Sequence, residues 1–192
     1  VNTYIVYNPE TMEGIVIDPG GCYKSIKHEA GEKGITLKAQ LLTHGHFDHC
    51  GASAMLQRDG IPVYIHEKDF DKPLGSGCLA DSFEISFDYF TPDHKLKDGD
   101  VLNIAGLEVK GLHTPGHTSG SVCFIIEDAI FSGDTLFNMS IGRTDFPDGD
   151  FEELNRSIRE KLFSFVGEYD LYPGNDEFST LSYEKNYNPM IE

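Results

Sequence analysis

The chain is short of basic residues: 15 Lys and Arg stand against 32 Asp and Glu, for a formal net charge of -17 over 192 residues. A surface that negative repels phosphate backbones and anionic headgroups, so neither a nucleic-acid partner nor a membrane partner is expected. The acidity itself is read as solubility. No apolar run approaches membrane-spanning length, and no signal peptide is visible. Cysteines are few, at 22, 50, 78 and 123, with no Cys-x-x-Cys pair and no compact framework. They read as reduced thiols, which implies a cytoplasmic protein. Cys50 follows His49 directly; it is read either as a neighbour of whatever that loop binds or as a small residue packing beneath it.

Where the chain is rich is in one stretch, Thr43-His44-Gly45-His46-Phe47-Asp48-His49, which packs four metal-capable side chains into six positions. The apolar run Ala39-Gln40-Leu41-Leu42 precedes it and a helix pattern, Cys50 to Arg58, follows. The cluster is therefore placed on a loop between a buried strand and a helix N-terminus, where α/β folds carry chemistry. A tight loop of this spacing can aim His44 and His46 at one ion while Asp48 and His49 turn toward another, with Gly45 leaving room for the bend.

Residues 1–192 read as one domain, and because the chain opens directly on a strand pattern, a few further N-terminal residues are expected upstream. Asn2 to Tyr7 and Gly14 to Asp18 form a hairpin; a helix is expected between Cys22 and Lys33, closed by Gly34; Ile35 to Leu42 is a strand. Strand, helix, strand in this order suggests a layered α/β arrangement. Another strand covers Ile61 to His66, whose histidine is expected to cap or pack. Glu67 to Asp98 is a long excursion with a short helix; its aromatics, Phe70, Phe83, Phe87, Tyr89 and Phe90, either wall a substrate cleft or fill a satellite core. His94 is expected on an exposed turn.

Strands with tight turns follow from Asp98 onward, and Leu107 to Leu112 runs into His113-Thr114-Pro115-Gly116-His117-Thr118. A hairpin around Asp128 ends at Ser132-Gly133-Asp134-Thr135, and Gly142-Arg143-Thr144-Asp145 comes next. Apolar spacing at Leu154, Ile158, Leu162 and Phe165 predicts a helix over Phe151 to Phe165. Leu171-Tyr172-Pro173-Gly174-Asn175 closes the series.

Taken together, Thr-His-x-His-x-Asp-His at 43 to 49, Thr-Pro-Gly-His-Thr at 114 to 118 and Gly-Asp-Thr at 133 to 135 resemble the signature of the metallo-β-lactamase superfamily, nearest its short glyoxalase II-like branch. The resemblance spans nearly the whole chain. It implies a four-layer αββα sandwich of two mixed sheets flanked by helices. It also implies that His44, His46 and His117 hold a first metal ion, His117 being chosen over His113 by the motif, while Asp48, His49 and Asp134 serve a second. Asp18, in Asp-Pro-Gly, either orients a metal-bound histidine or bonds its own turn. Arg143 is a candidate for a substrate carboxylate, or else pairs with Asp145 or Asp148.

The sequence departs from the family at Asn175, where the closing motif has a ligating histidine; a carboxamide is a much weaker zinc ligand. The second ion is then weak or absent, or is held by Asp176 or Glu177 instead. The resemblance implies a zinc-dependent hydrolase of a small-molecule thioester such as an acylated glutathione, with one or two Zn2+ and Asp48 as the base. Because the residues stop soon after the metal motifs, no counterpart of the C-terminal extension that helps bind glutathione in longer relatives is expected, which puts glutathione itself in question. Two rival readings stay open: a mononuclear Fe2+ persulfide dioxygenase using His44, His117 and Asp134, and a degenerate, non-catalytic binding protein.

Overall fold

The computed structural model describes residues 1–191. Its first sheet holds β1 (Tyr4–Asn8), β2 (Glu13–Ile17), β3 (Thr36–Leu41), β4 (Val63–His66) and β5 (His94–Leu96), in that order. β1 is antiparallel to β2, and the remaining neighbours are parallel. The second sheet uses β6 (Val101–Ile104), β7 (Leu107–His113), β8 (Val122–Ile126), β9 (Ala129–Gly133), β12 (Asp170–Pro173) and β13 (Ser179–Thr180), ordered β13-β12-β9-β8-β7-β6. Here only β12 and β9 run parallel. A short ribbon, β10 (Leu136–Phe137) with β11 (Ser140–Ile141), stands apart.

Strand alternation decides which face each side chain serves. Ile15 and Ile17 from one sheet meet Phe124, Ile126 and Phe131 from the other, forming the layer between the sheets. Val16 points the opposite way, onto Ile26 of α1 (Tyr23–Glu32) and Leu56 of α3 (Ser53–Arg58). Cys123 and Ile125 likewise turn outward onto Leu154 of α4 (Phe151–Arg156) and Leu181 of α5 (Leu181–Tyr187). Helices therefore cover both outer faces of two packed mixed sheets, the expected αββα order.

Several expected elements differ in detail. The helix after the histidine loop is two pieces, α2 (Phe47–Cys50) and α3, separated by Gly51 and Ala52. The helix expected over Phe151 to Phe165 stops at Leu162, and its second half, Ser157–Leu162, widens into a π turn closed by Phe163 N–H donating to the Ile158 carbonyl at 2.8 Å. Leu154, Ile158 and Leu162 remain fully buried on one face, each worth about 1.5–3 kcal/mol. The excursion from 67 to 98 holds three 3-10 turns, and His94, expected on a turn, opens edge strand β5 with its ring stacked on Tyr64. No helix among the described residues is long and apolar enough to cross a membrane.

Candidate metal centre

The residues singled out in the sequence all follow the carboxyl ends of strands along one edge of the sandwich: Asp18 after β2, His44 to His49 after β3, His117 after β7, Asp134 after β9 and Asn175 after β12. That edge is where open α/β sheets place their ligands. Register does the rest. The parallel pairing of β2 with β3 sets Ile17 opposite Leu41, and Asp18 N–H donates to the Leu41 carbonyl at 3.0 Å. Pairing of β12 with β9 sets Pro173 opposite Gly133, and Gly174 N–H donates to the Gly133 carbonyl at 2.8 Å. Asn175 thereby reaches Asp134, to which its Nδ2 donates at 3.0 Å.

His44, His46 and His117 are buried and aim one ring nitrogen each at a common centre. His46 Nδ1 lies 3.0 Å from His117 Nε2, which lies 3.2 Å from His44 Nε2. Hydrogen bonds behind the rings assign the protons. His117 Nδ1 donates to the Arg143 carbonyl at 2.7 Å, leaving Nε2 bare. Thr43 Oγ1 donates to Asp18 Oδ2 at 2.7 Å and so accepts from His44 Nδ1 at 3.1 Å, leaving that Nε2 bare too. Burial, reinforced by the neighbouring imidazoles, drives His44 well below its ordinary pKa, and burial followed by His117 lowers His46 to about 3. Lone pairs thus face one another with no proton between His44 and His117. Nitrogens about 2.0–2.1 Å from one tetrahedral cation sit roughly 3.3 Å apart, so the donor set fits such an ion.

A second group, His44, His49 and Asp134, lies beside the first. His49 Nδ1 donates to Asp18 Oδ2 at 2.9 Å, so Asp18 contacts this ring directly and that of His44 through Thr43. The remaining nitrogen, His49 Nε2, is buried with no aligned hydrogen bond, 3.3 Å from Asp134 Oδ1 and 3.8 Å from Asp48 Oδ2. Burial alone would lower His49, but Asp134 and Asp18 on either side overturn it and hold the ring well above its usual value. Burial would raise Asp134, yet His49 and then His117 bring it down to about 2. Asn175 completes this position with an amide N–H where a cation ligand would need a lone pair.

The other named residues separate. His113 stays outside the cluster: its ring stacks on His66 at 4.0 Å, and Nε2 donates to the Ser119 carbonyl. Cys50 packs beneath the loop, buried, its thiol donating to the His46 carbonyl at 3.1 Å. Arg143 lines the cavity over the histidines and also forms a two-pronged pair with Asp145, 2.6 Å in each prong. Of the aromatics in the excursion, Phe83 walls that cavity, while Phe90, with Phe70 and Phe87 against it, fills a satellite core. Sequence reasoning missed Leu79 and Phe146 in the cavity, and it missed Asp69, a buried carboxylate that accepts from Gly45 N–H and Thr118 Oγ1. Only the position of Asp69 just past a strand end hints at it.

The metallo-beta-lactamase superfamily model matches residues 1–172, and the chain belongs to that family. Among curated relatives, the hydroxyacylglutathione hydrolase GloC of Haemophilus influenzae is 36% identical over 99% of this chain and 92% of its own length. Among solved structures, BLEG-1, described as a B3 metallo-beta-lactamase, superposes with a TM-score of 0.92 at 33% identity, covering 99% of this chain and 93% of that one. TTHA1623, solved in a di-iron-bound form, superposes at 0.86 and 33% identity, over 99% and 94% of the two chains.

Proposed function

We propose that this protein is a metal-dependent hydrolase of thioesters, working in the cytoplasm, with His44, His46 and His117 holding its principal cation. The observation that carries the reading is the pair of ring nitrogens on His44 and His117, 3.2 Å apart, with the other nitrogen of each ring committed to a hydrogen bond behind it. Zn2+ suits such a site, and the di-iron form of TTHA1623 keeps Fe2+ open. His49, Asp134 and Asp48 offer a second position, which Asn175 weakens. The four cysteines, free and mostly buried, fit a reducing compartment.

Bound at the three imidazoles, the cation would supply a Lewis acid that polarises an acyl carbonyl and makes water acidic enough to deprotonate near neutral pH. The chain's own groups supply the rest. Asp48 stands on the cavity wall, half exposed, where it orients the attacking water and takes its proton. As the new C–O bond forms at the acyl carbon, the C–S bond breaks and its electron pair leaves on sulfur. The proton held by Asp48 then passes to that thiolate. A thiol of ordinary pKa, about 8.5, leaves readily, so no stronger acid is required, which favours thioesters over amides. The name of the GloC relative points to the same class.

Elemental analysis of protein purified without added metal, paired with hydrolysis of S-lactoyl thioesters before and after chelation, tests this. Retained zinc or iron with chelator-sensitive hydrolysis is expected. Iron with oxygen uptake on a persulfide, through His44, His117 and Asp134, would instead establish the dioxygenase; failure to retain any metal would leave a non-catalytic binding protein.

A further inference from the structure

We propose that the thioester cleaved here carries an uncharged, apolar leaving-group arm, bound against Leu79, Phe83 and Phe146; the inference rests on the hydrolase reading above. The cavity over the histidines, about 250 Å³, has two unlike walls. One is the cluster of imidazoles and carboxylates. The other is aromatic and unbroken: Phe146 meets the His46 ring edge-on at 5.6 Å, Phe83 meets Phe146 at 6.0 Å, and Phe47 lies 5.6 Å from Phe83. Phe83 carries this surface out to solvent, where it is 48% exposed. A larger cavity of about 530 Å³ shares Phe47 and Asp48 with the first and continues the apolar wall over Ile85 and Phe87.

Charge decides what can lie there. Among the described residues, the smaller cavity is lined by the carboxylates Asp48 and Asp134 and by one cationic side chain, Arg143. That guanidinium is already matched by both oxygens of Asp145 and lies over the Phe146 ring at 4.0 Å. Lys72, packed behind Gly45, is likewise taken up, 3.0 Å from Asp148 and 3.9 Å from Asp69. Glutathione brings two carboxylates against one ammonium. Seating it would bring two carboxylates beside Asp48 and Asp134, in a chain of net charge -17, where the cation on the imidazoles would be engaged by the acyl carbonyl and no cationic side chain lining the cavity is left unmatched to receive them. An uncharged arm avoids that repulsion and buries its carbon against rings that are otherwise wet.

Two thioethers that cannot be hydrolysed, S-benzyl-N-acetylcysteamine and S-benzylglutathione, separate the alternatives by calorimetry on the metal-loaded protein. The uncharged arm should bind at least tenfold more tightly at low salt, with the gap narrowing as salt screens the carboxylates. Phe83→Ala, at an exposed position, should weaken the uncharged ligand about tenfold while metal content stays the same. Equal or tighter binding of the glutathione thioether overturns the proposal, and so does unaltered binding by Phe83→Ala. The matching S-lactoyl thioesters test the reaction separately. Faster hydrolysis of the glutathione thioester overturns the arm preference alone, whereas hydrolysis of neither takes the hydrolase reading down with it.

Discussion

Asp69 accepts a hydrogen bond of 2.9 Å from the backbone N–H of Gly45, the residue between His44 and His46. The same carboxylate accepts from Thr118 Oγ1 at 2.8 Å and from Gly120 N–H at 2.9 Å, so one buried side chain ties the first histidine loop to the loop bearing His117. Burial raises its pKa, and Lys72, Thr118 and Gly45 only partly offset that rise.

Asp69→Ala should therefore loosen the centre without touching a ligand. Three buried donors lose a charged acceptor, at a cost on the order of 3 kcal/mol or more. The expected outcome is a clear fall in Tm and at least tenfold weaker retention of metal, with Asp69→Asn intermediate because it keeps one acceptor oxygen. Wild-type metal affinity in Asp69→Ala, read by competition with a chromophoric chelator, would show that the loops hold their places unaided.

Asn175 invites the opposite experiment. Its Nδ2 donates to Asp134 Oδ1, the oxygen 3.3 Å from His49 Nε2. Asn175→His would exchange a donor for an imidazole lone pair at that point. Metal content per chain should rise toward a second equivalent in the variant. An unaltered content would mean that position 175 does not contribute to the second cation position.

The histidine loops were legible because ligand chemistry tolerates few residue types, and the structure brings His44, His46, His49, His117 and Asp134 together at one sheet edge. Layering was legible too, since strand, helix and strand alternate before the histidine loop, whereas which way Val16 and Cys123 turn is fixed only by packing, their strands being apolar on both faces. What stayed hidden depends on contacts distant in sequence. Asp18 read equally well as a turn residue, because its partners Thr43 and His49 are brought to it only by the parallel register of β2 and β3. Asp69 is one acidic residue among 32, and beyond its place just past a strand end nothing local marks it as buried. The π turn after Arg156 preserves the apolar spacing of an ordinary helix, so Leu154, Ile158 and Leu162 could not reveal it.

Gly174 is held to its size by the centre itself. A Cβ there would stand 2.6 Å from both Asp134 Oδ1 and His49 Cε1, and 3.0 Å from the Gly133 carbonyl carbon. Gly174→Ala must push Asp134 or His49 aside, since the backbone on the far side belongs to the β9–β12 pairing. Hydrolytic activity should fall by a factor of ten or more while far-ultraviolet circular dichroism stays native. Full activity would place the Asp134 and His49 pair outside the reaction.

The stacked pair His66 and His113 gives stability a pH dependence distinct from that of the metal ligands. Their rings lie 4.0 Å apart and nearly parallel, so a proton on one faces the other. Burial, then the adjacent His113 and Lys68, lowers His66 to about 4; burial also lowers His113. Above the unfolded value of about 6.5 both states are neutral and the pair adds no slope. As pH falls below that, the unfolded chain binds protons that the folded chain refuses, so stability is lost until the folded value near 4 is reached. For His66 alone the loss amounts to about 3 kcal/mol at most. Denaturant unfolding between pH 7 and pH 4, with chelator present throughout to remove metal release from the comparison, should show His66→Phe losing less stability than wild type. Parallel pH profiles for the two proteins would mean that His66 takes up its proton in the folded state as readily as in the unfolded one.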